Sequence, residues 1–410
     1  MQSILSNKHF ALIAFSLSIL SARPAAALTY SILDLGVTPG SSFSSSLGIN
    51  NSAQITGSMY VNNASHAFLY SSRQILDLGG LPKGTNSDGR KINTSGQIAG
   101  DSSVQTGNTH AFLYTNHAFT DINVLPGNTD SFASGINDIG QVVGQSATSG
   151  GVSHAFLYSG GAIKDLGTLG GPSSFGTSIN NSGQITGGAA VSGGKNHAFL
   201  YSNGAMKDLG TLPGGASSSG NSINISGKIT GLGATSSGDS HAILYSNGVI
   251  TDLGTLPGGV FSIGYSINDA GQIVGQSTTS TAFDVKPHGF LYSGGKLTDL
   301  NSLLSPSDQK IWTITGGDSI NSKGQIAAYA QLNGQERIVL LNPSTPTWKG
   351  SCSARCPKRK ASAWLPWRCQ CRAMAQSGSA RCGARAKAFR YSSCVRAQGS
   401  AAASAQRPMR

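Results

Sequence analysis

The feature that most constrains this chain is a repeat. His-Ala-Phe-Leu-Tyr returns with small variation at His66, His110, His154, His197, His241 and His288. Asp-Leu-Gly, or a near variant, begins at Asp34, Asp77, Asp121, Asp165, Asp208, Asp252 and Asp299, in steps of 43, 44, 44, 43, 44 and 47 residues. Ile-Asn recurs seven times, ending at Asn50, Asn93, Asn137, Asn180, Asn224, Asn268 and Asn321, and a Gly-Gln-Ile-like run follows each. A fixed period of this length marks an array whose units complete one another's cores.

Each unit reads as four short strands. In one copy, His-Ala-Phe-Leu-Tyr is followed by Asn203-Gly204, a pair that tolerates the positive φ angles of a tight hairpin turn. A strand over 205–212 comes next, stopped by Pro213-Gly214-Gly215. A third strand ends at Ile223-Asn224, and a fourth covers 228–231. No 3.6-residue period interrupts this pattern. A four-stranded unit of this length fits a propeller blade, which hides its sheet edges by stacking around an axis.

The array starts and stops out of phase. Its first strand, Tyr30-Ser31-Ile32-Leu33-Asp34-Leu35-Gly36, is of the Asp-Leu-Gly type, and its last, 337–341, is of the His-Ala-Phe type. Pairing the two would complete a seventh unit. The expected fold is therefore all-β, a seven-bladed propeller over 28–346 closed by its two ends. A β-solenoid or a ring of another symmetry is the competing arrangement.

The flanks differ from the body. Residues 1–27 read as a signal peptide: Lys8 and His9 precede an apolar run at 10–20, too short for a bilayer span of about 20 residues, and Ala25-Ala26-Ala27 supplies small residues for cleavage. No other stretch is long and apolar enough to cross a membrane as a helix. The formal charge of +12 is misleading, because 347–410 holds ten Arg, four Lys and no acid, which leaves the body at −2. All six cysteines (Cys352, Cys356, Cys369, Cys371, Cys382, Cys394) lie in that tail. The tail's residue types are those GC-rich DNA encodes out of frame, so it is expected to be disordered or frameshift-derived. A near-neutral body gives no footprint for nucleic acid.

The repeats resemble the HAF family of extracellular repeats, named for the His-Ala-Phe string, over residues 30–342. The resemblance implies an exported protein of poorly defined molecular function, in a family whose members often end in a Pro-Glu-Pro sorting signal. Here Asn342-Pro343-Ser344-Thr345-Pro346 leads instead into the basic tail, so anchoring by the sorting signal that the resemblance implies is not expected of the chain as written.

Three groups of residues could carry chemistry. His and Asp lie 11 residues apart in His66/Asp77, His110/Asp121, His154/Asp165, His197/Asp208, His241/Asp252 and His288/Asp299, and Arg337 would meet Asp34 in the closing unit. A His–Asp pair suggests general-base catalysis, but one copy per blade points to a structural hydrogen bond. Phe43, Phe132, Phe175 and Phe261 follow the Leu-Pro-Gly-Gly-type turn and either plug the core or offer aromatic platforms to sugar rings. The third group is the loops after Gly-Gln-Ile-x-Gly, at 145–153, 188–196, 232–240 and 276–287, whose variable lengths suit a binding rim. The histidine spacing does not converge ligands on one metal, and no cofactor motif is present.

The reading that follows is a non-catalytic binding or scaffold module at the cell surface or in a secreted matrix. It is expected to be monomeric, with a polysaccharide or a cell-envelope component as partner. The alternative is a secreted propeller hydrolase or lyase. Its acids would be drawn from Asp88, Asp101, Asp130, Asp239, Asp284 and Asp308, which stand outside the repeat, as does Glu336, the single Glu.

Overall fold

A computed structural model describes residues 28–36, 43–281 and 286–344, with backbone alone for 43–46. The expected signal peptide and basic tail lie outside the described residues, as does Asp284.

The described chain forms seven four-stranded antiparallel sheets in a ring, a seven-bladed β-propeller. Blades 1 to 6 span 43–79, 87–123, 130–165, 170–208, 218–252 and 262–299. Blade 7 combines Trp312–Ile320, Ile326–Leu332 and Gln335–Ser344 with the N-terminal strand Thr29–Asp34. Thr29 pairs with Ser344 and Asp34 with Val339, so the ends close the ring. Within each blade the Ile-Asn strand is innermost, followed outward by the Gly-Gln-Ile, His-Ala-Phe and Asp-Leu-Gly strands.

The strand bounds differ from those the sequence suggests. The Asp-Leu-Gly strand of blade 4 is Ala205–Asp208 and stops four residues earlier than expected, because Asp208 turns back to accept the Gly210 N–H. The Gly-Gln-Ile strand of blade 5 is Ile229–Ala234, longer than 228–231. Two short 3₁₀ turns, Leu300–Leu303 and Asp308–Lys310, fill the long link between blades 6 and 7 and depart from the expected all-strand body. The Asn203-Gly204 turn has φ of 53° and 84°, as its sequence requires.

The core lies between blades. Ala67 and Leu81 of blade 1 cluster with Ile92, Ile98 and Phe112 of blade 2. Val143, Ala155 and Leu166 of blade 3 likewise meet Ile179, Ile185 and Phe199 of blade 4. Phe68, Phe112, Phe156, Phe199 and Phe290 are fully buried, each stabilising by about 1.5–3 kcal/mol. The Phe of the repeat explains the Gly of Gly-Gln-Ile-x-Gly. A Cβ on Gly100 would stand 2.6 Å from Phe112 Cζ and 2.0 Å from the Asp88 carbonyl oxygen.

Two hydrogen-bond systems tie blade to blade. Asn50 Nδ2 donates to the Asn93 carbonyl, Asn93 to Asn137, Asn137 to Asn180, Asn180 to Asn224, Asn224 to Asn268, Asn268 to Asn321 and Asn321 back to Asn50, a closed circuit at distances of 2.9–3.2 Å. The same Asn side chains hold their own hairpins: Asn137 Oδ1 accepts from Gln141 N. Nearer the opposite rim, a buried serine opens the innermost strand. Ser131 Oγ accepts from Ala111 N of the preceding blade and donates to the Asn123 carbonyl. Ser218 does the same for Ala198 and Gly210.

Candidate functional site

Strand direction sorts the molecule into two rims. The Asn hairpins lie on one. The other gathers the loops before each His, the His itself, the closing Asp and the Leu-Pro-Gly-Gly-type turn. All three groups singled out in the sequence belong to this second rim.

The His–Asp geometry is uniform. Phe199 pairs with Asp208 in register, which leaves His197 and Asp208 as diagonal neighbours. The Nδ1–Oδ2 distances are 2.8 Å for His66/Asp77, 3.0 Å for His110/Asp121, 2.8 Å for His154/Asp165, 2.9 Å for His197/Asp208, 2.9 Å for His241/Asp252 and 2.7 Å for His288/Asp299. The other oxygen of each Asp accepts a main-chain N–H two residues on, as Asp77 does from Gly79 and Asp252 from Gly254. The carboxylate therefore closes its own turn and clips that turn to the His-Ala-Phe strand. The hydrogen bond to Asp299 draws the His288 pKa upward against burial. Burial acts to raise Asp299, yet bonds from His288 and Asn301 leave it lowered. In blade 7, Arg337 Nε stands 3.7 Å from Asp34 Oδ2, an ion pair rather than a hydrogen bond.

The four phenylalanines do not share one position. Phe132 and Phe175 lie four residues before the Ile of the Ile-Asn strand, whereas Phe43 and Phe261 lie six before it. Phe175 covers Gly188 of its own blade, where a Cβ would meet Phe175 Cζ at 2.5 Å. Phe132, Phe175 and Phe261 are half-buried, and among the described residues the apolar clusters do not include them. Nothing is described of the Phe43 side chain.

The non-repeat acids divide as well. Asp88 and Asp101 pair across the inner strands of blade 2 and flank Arg90, whose Nε donates to Asp101 Oδ1 at 2.9 Å. Ser65 Oγ of blade 1 donates to Asp88. Burial lifts the Asp101 carboxyl above its usual range despite Arg90. Burial disfavours the Arg90 charge, and Asp101 and Asp88, with a smaller contribution from Tyr329 of blade 7, more than offset it and raise the Arg90 pKa. Asp318 accepts the Leu47 N–H at 2.6 Å, and burial raises its pKa against the pull of Lys91. Beside it, burial and the Asp318 charge push Tyr265 up to about 12. Asp130 of blade 3 accepts from Thr109 N of blade 2 and ties the two blades, whereas Asp239 and Asp308 accept from Ser237 Oγ and Ser305 Oγ and serve their own loops. Arg90 and Asp318 occupy one equivalent position, at which each blade carries a different residue, and Tyr329 stands where no other blade has an aromatic; sequence reasoning did not single them out. Aligning the seven copies and asking where they disagree would have found them.

Among the described residues, cavities open at both rims of this framework. One lies at the Asn rim and is lined by Asn50, Asn93, Asn137, Asp138 and their equivalents. The Asp138 oxygens accept from Thr94 N and Asn181 Nδ2, which lowers its carboxyl pKa against the effect of burial. The other, of about 270 Å³, lies at the loop rim between blades 6 and 7. Among the described residues no group of three or more His, Cys, Asp or Glu gathers as a metal site, and no helix is long and apolar enough to cross a membrane.

No family model and no curated relative matches the chain. Solved structures similar to it are propellers. TolB from Acinetobacter baumannii is 13% identical with a TM-score of 0.41, the match covering 71% of this chain and 63% of that one. A putative TolB from Agrobacterium tumefaciens is 12% identical at 0.42, covering 74% and 98%. The β-propeller domain of the trilobed protease from Pyrococcus furiosus is 8% identical at 0.43, covering 76% and 95%. At this distance the likenesses carry no argument about function.

Proposed function

We propose that this chain is a non-catalytic binding module of the HAF-repeat type, exported and acting at the cell surface or in a secreted matrix. The observation that carries the reading is how its polar groups are employed. Six His–Asp pairs, the natural candidates for acid–base chemistry, each close a turn in the same way, blade after blade. Side chains that differ between blades instead collect around the axis and on the loop rim, where a ligand has access. A repeated scaffold with an individual rim suits recognition better than catalysis, which needs one constellation of unlike groups.

The partner we infer is an extracellular polysaccharide or other envelope component. Titrating the purified chain with envelope material and extracellular polysaccharide from the producing cell, with a parallel assay for cleavage, tests the reading. Saturable binding without cleavage is expected. Cleavage of the polymer would overturn it and make Asp88 and Asp101 the first residues to replace.

A further inference from the structure

Three departures of blade 7 from the repeat meet at one place. Arg337 stands where the other six blades carry His. Glu336 is the single Glu of the chain. Tyr329 occupies a position that is not aromatic in any other blade. All three line the cavity between blades 6 and 7, together with Gln276, Gln331 and Lys286.

We propose that this cavity binds one acidic sugar unit, a hexuronate residue of an extracellular polysaccharide; this rests on the binding reading above and names its ligand class. The volume of about 270 Å³ falls just under the range of about 300–1,000 Å³ for drug-sized ligands and so suits a single ring. Its chemistry is that of a hydroxylated anion. Gln276 and Gln331 offer both donors and acceptors to hydroxyls. Glu336 accepts from hydroxyls and turns the ligand's carboxylate away from itself. Lys286 and Arg337 supply the positive charge for that carboxylate. Arg337 spends Nη1 on the Glu336 carbonyl at 2.8 Å, and its Nε stays 3.7 Å from Asp34. The planar fork thus keeps donors for a ligand.

Calorimetric titration of the purified chain with sodium glucuronate, glucose and sodium acetate tests the site. Glucuronate is expected to bind at least about tenfold more tightly than either of the others, the scale of a charge-assisted contact. Lys286→Ala and Arg337→His are each expected to weaken it about tenfold. Lys195→Ala, on the corresponding loop of blade 4, should change nothing. Circular dichroism checks that the Arg337 variant is folded, and Lys286, outside any strand, gives the same test without touching a blade. Equal binding of glucose or acetate overturns the proposal, as does wild-type affinity in both variants. If glucuronate does not bind the wild type while whole polysaccharide binds it and the Lys286 variant equally tightly, the site is wrong and the binding module stands. If neither binds, both readings fail.

Discussion

Blade 7 and the other six solve the same packing problem with different residues. In blade 2, Gly100 lies against Phe112 and the Asp88 carbonyl. In blade 7 the corresponding residues are Ala328 and Val339, paired in register and both fully buried. The smaller Val leaves room for the methyl group, and the inner strand of blade 7 carries a bulge at Ile314/Gly316 that blade 2 lacks, beside the Gly317/Ser319 bulge that matches Gly89/Lys91. The closing blade, built from both ends of the described chain, was thus free to leave the repeat only in compensated pairs. The same freedom gave it Arg337, Glu336 and Tyr329 on the loop rim. Repetition marks what the scaffold needs, and its failure marks where the molecule is individual.

The comparison can be broken most forcefully at Gly100. Gly100→Ala should destabilise the chain by about 3 kcal/mol, since the new Cβ meets main chain as well as a ring. Adding Phe112→Val, which copies blade 7, should recover part of that loss in chemical denaturation. No recovery would mean that the bulge, not the smaller side chain, makes Ala tolerable.

The Asn circuit is common to all seven blades and should be indifferent to the difference between them. Asn137→Ala and Asn321→Ala are each expected to cost about 2–3 kcal/mol, because each strands buried groups on two blades. A much smaller loss at Asn321 would show that blade 7 is held by other means.

A smaller effect is read by pH at the His288–Asp299 pair of blade 6. The folded pKa of His288 is raised, so its contribution is fully present below the unfolded value of about 6.5 and is lost as pH rises through the folded value. The folded pKa of Asp299 is lowered, so its contribution is present above about 3.9 and is lost as pH falls through the folded value. The thermal midpoint should therefore fall on the alkaline side of His288's titration, and His288→Gln should remove that part of the fall.

These contrasts also explain what could be read from sequence. The His–Asp pairs were legible because a two-residue turn fixes their register locally. Ring closure was legible because the two ends of the array are complementary strand types. The Asn circuit was not: Asn-x-x-Gly signals a turn, while the partner of Asn50 is 43 residues away in the next blade. The buried Ser131 and Ser218 hide in Ser-rich strands where nothing marks one serine from another. Phe43, Phe132, Phe175 and Phe261 looked equivalent because each follows a similar turn. The distance from turn to strand varies, and only the register separates the two positions they occupy.

The most direct test of the central claim, that repeated polar groups hold the fold while blade-specific ones bind, is a paired measurement on His197→Ala and Lys286→Ala. Thermal midpoint and polysaccharide affinity are read on both. His197→Ala should lower the midpoint slightly, the pair being worth about 0.2–1 kcal/mol, and leave affinity unchanged; Lys286→Ala should do the reverse. Loss of binding in the His197 variant with an unchanged midpoint would contradict the account.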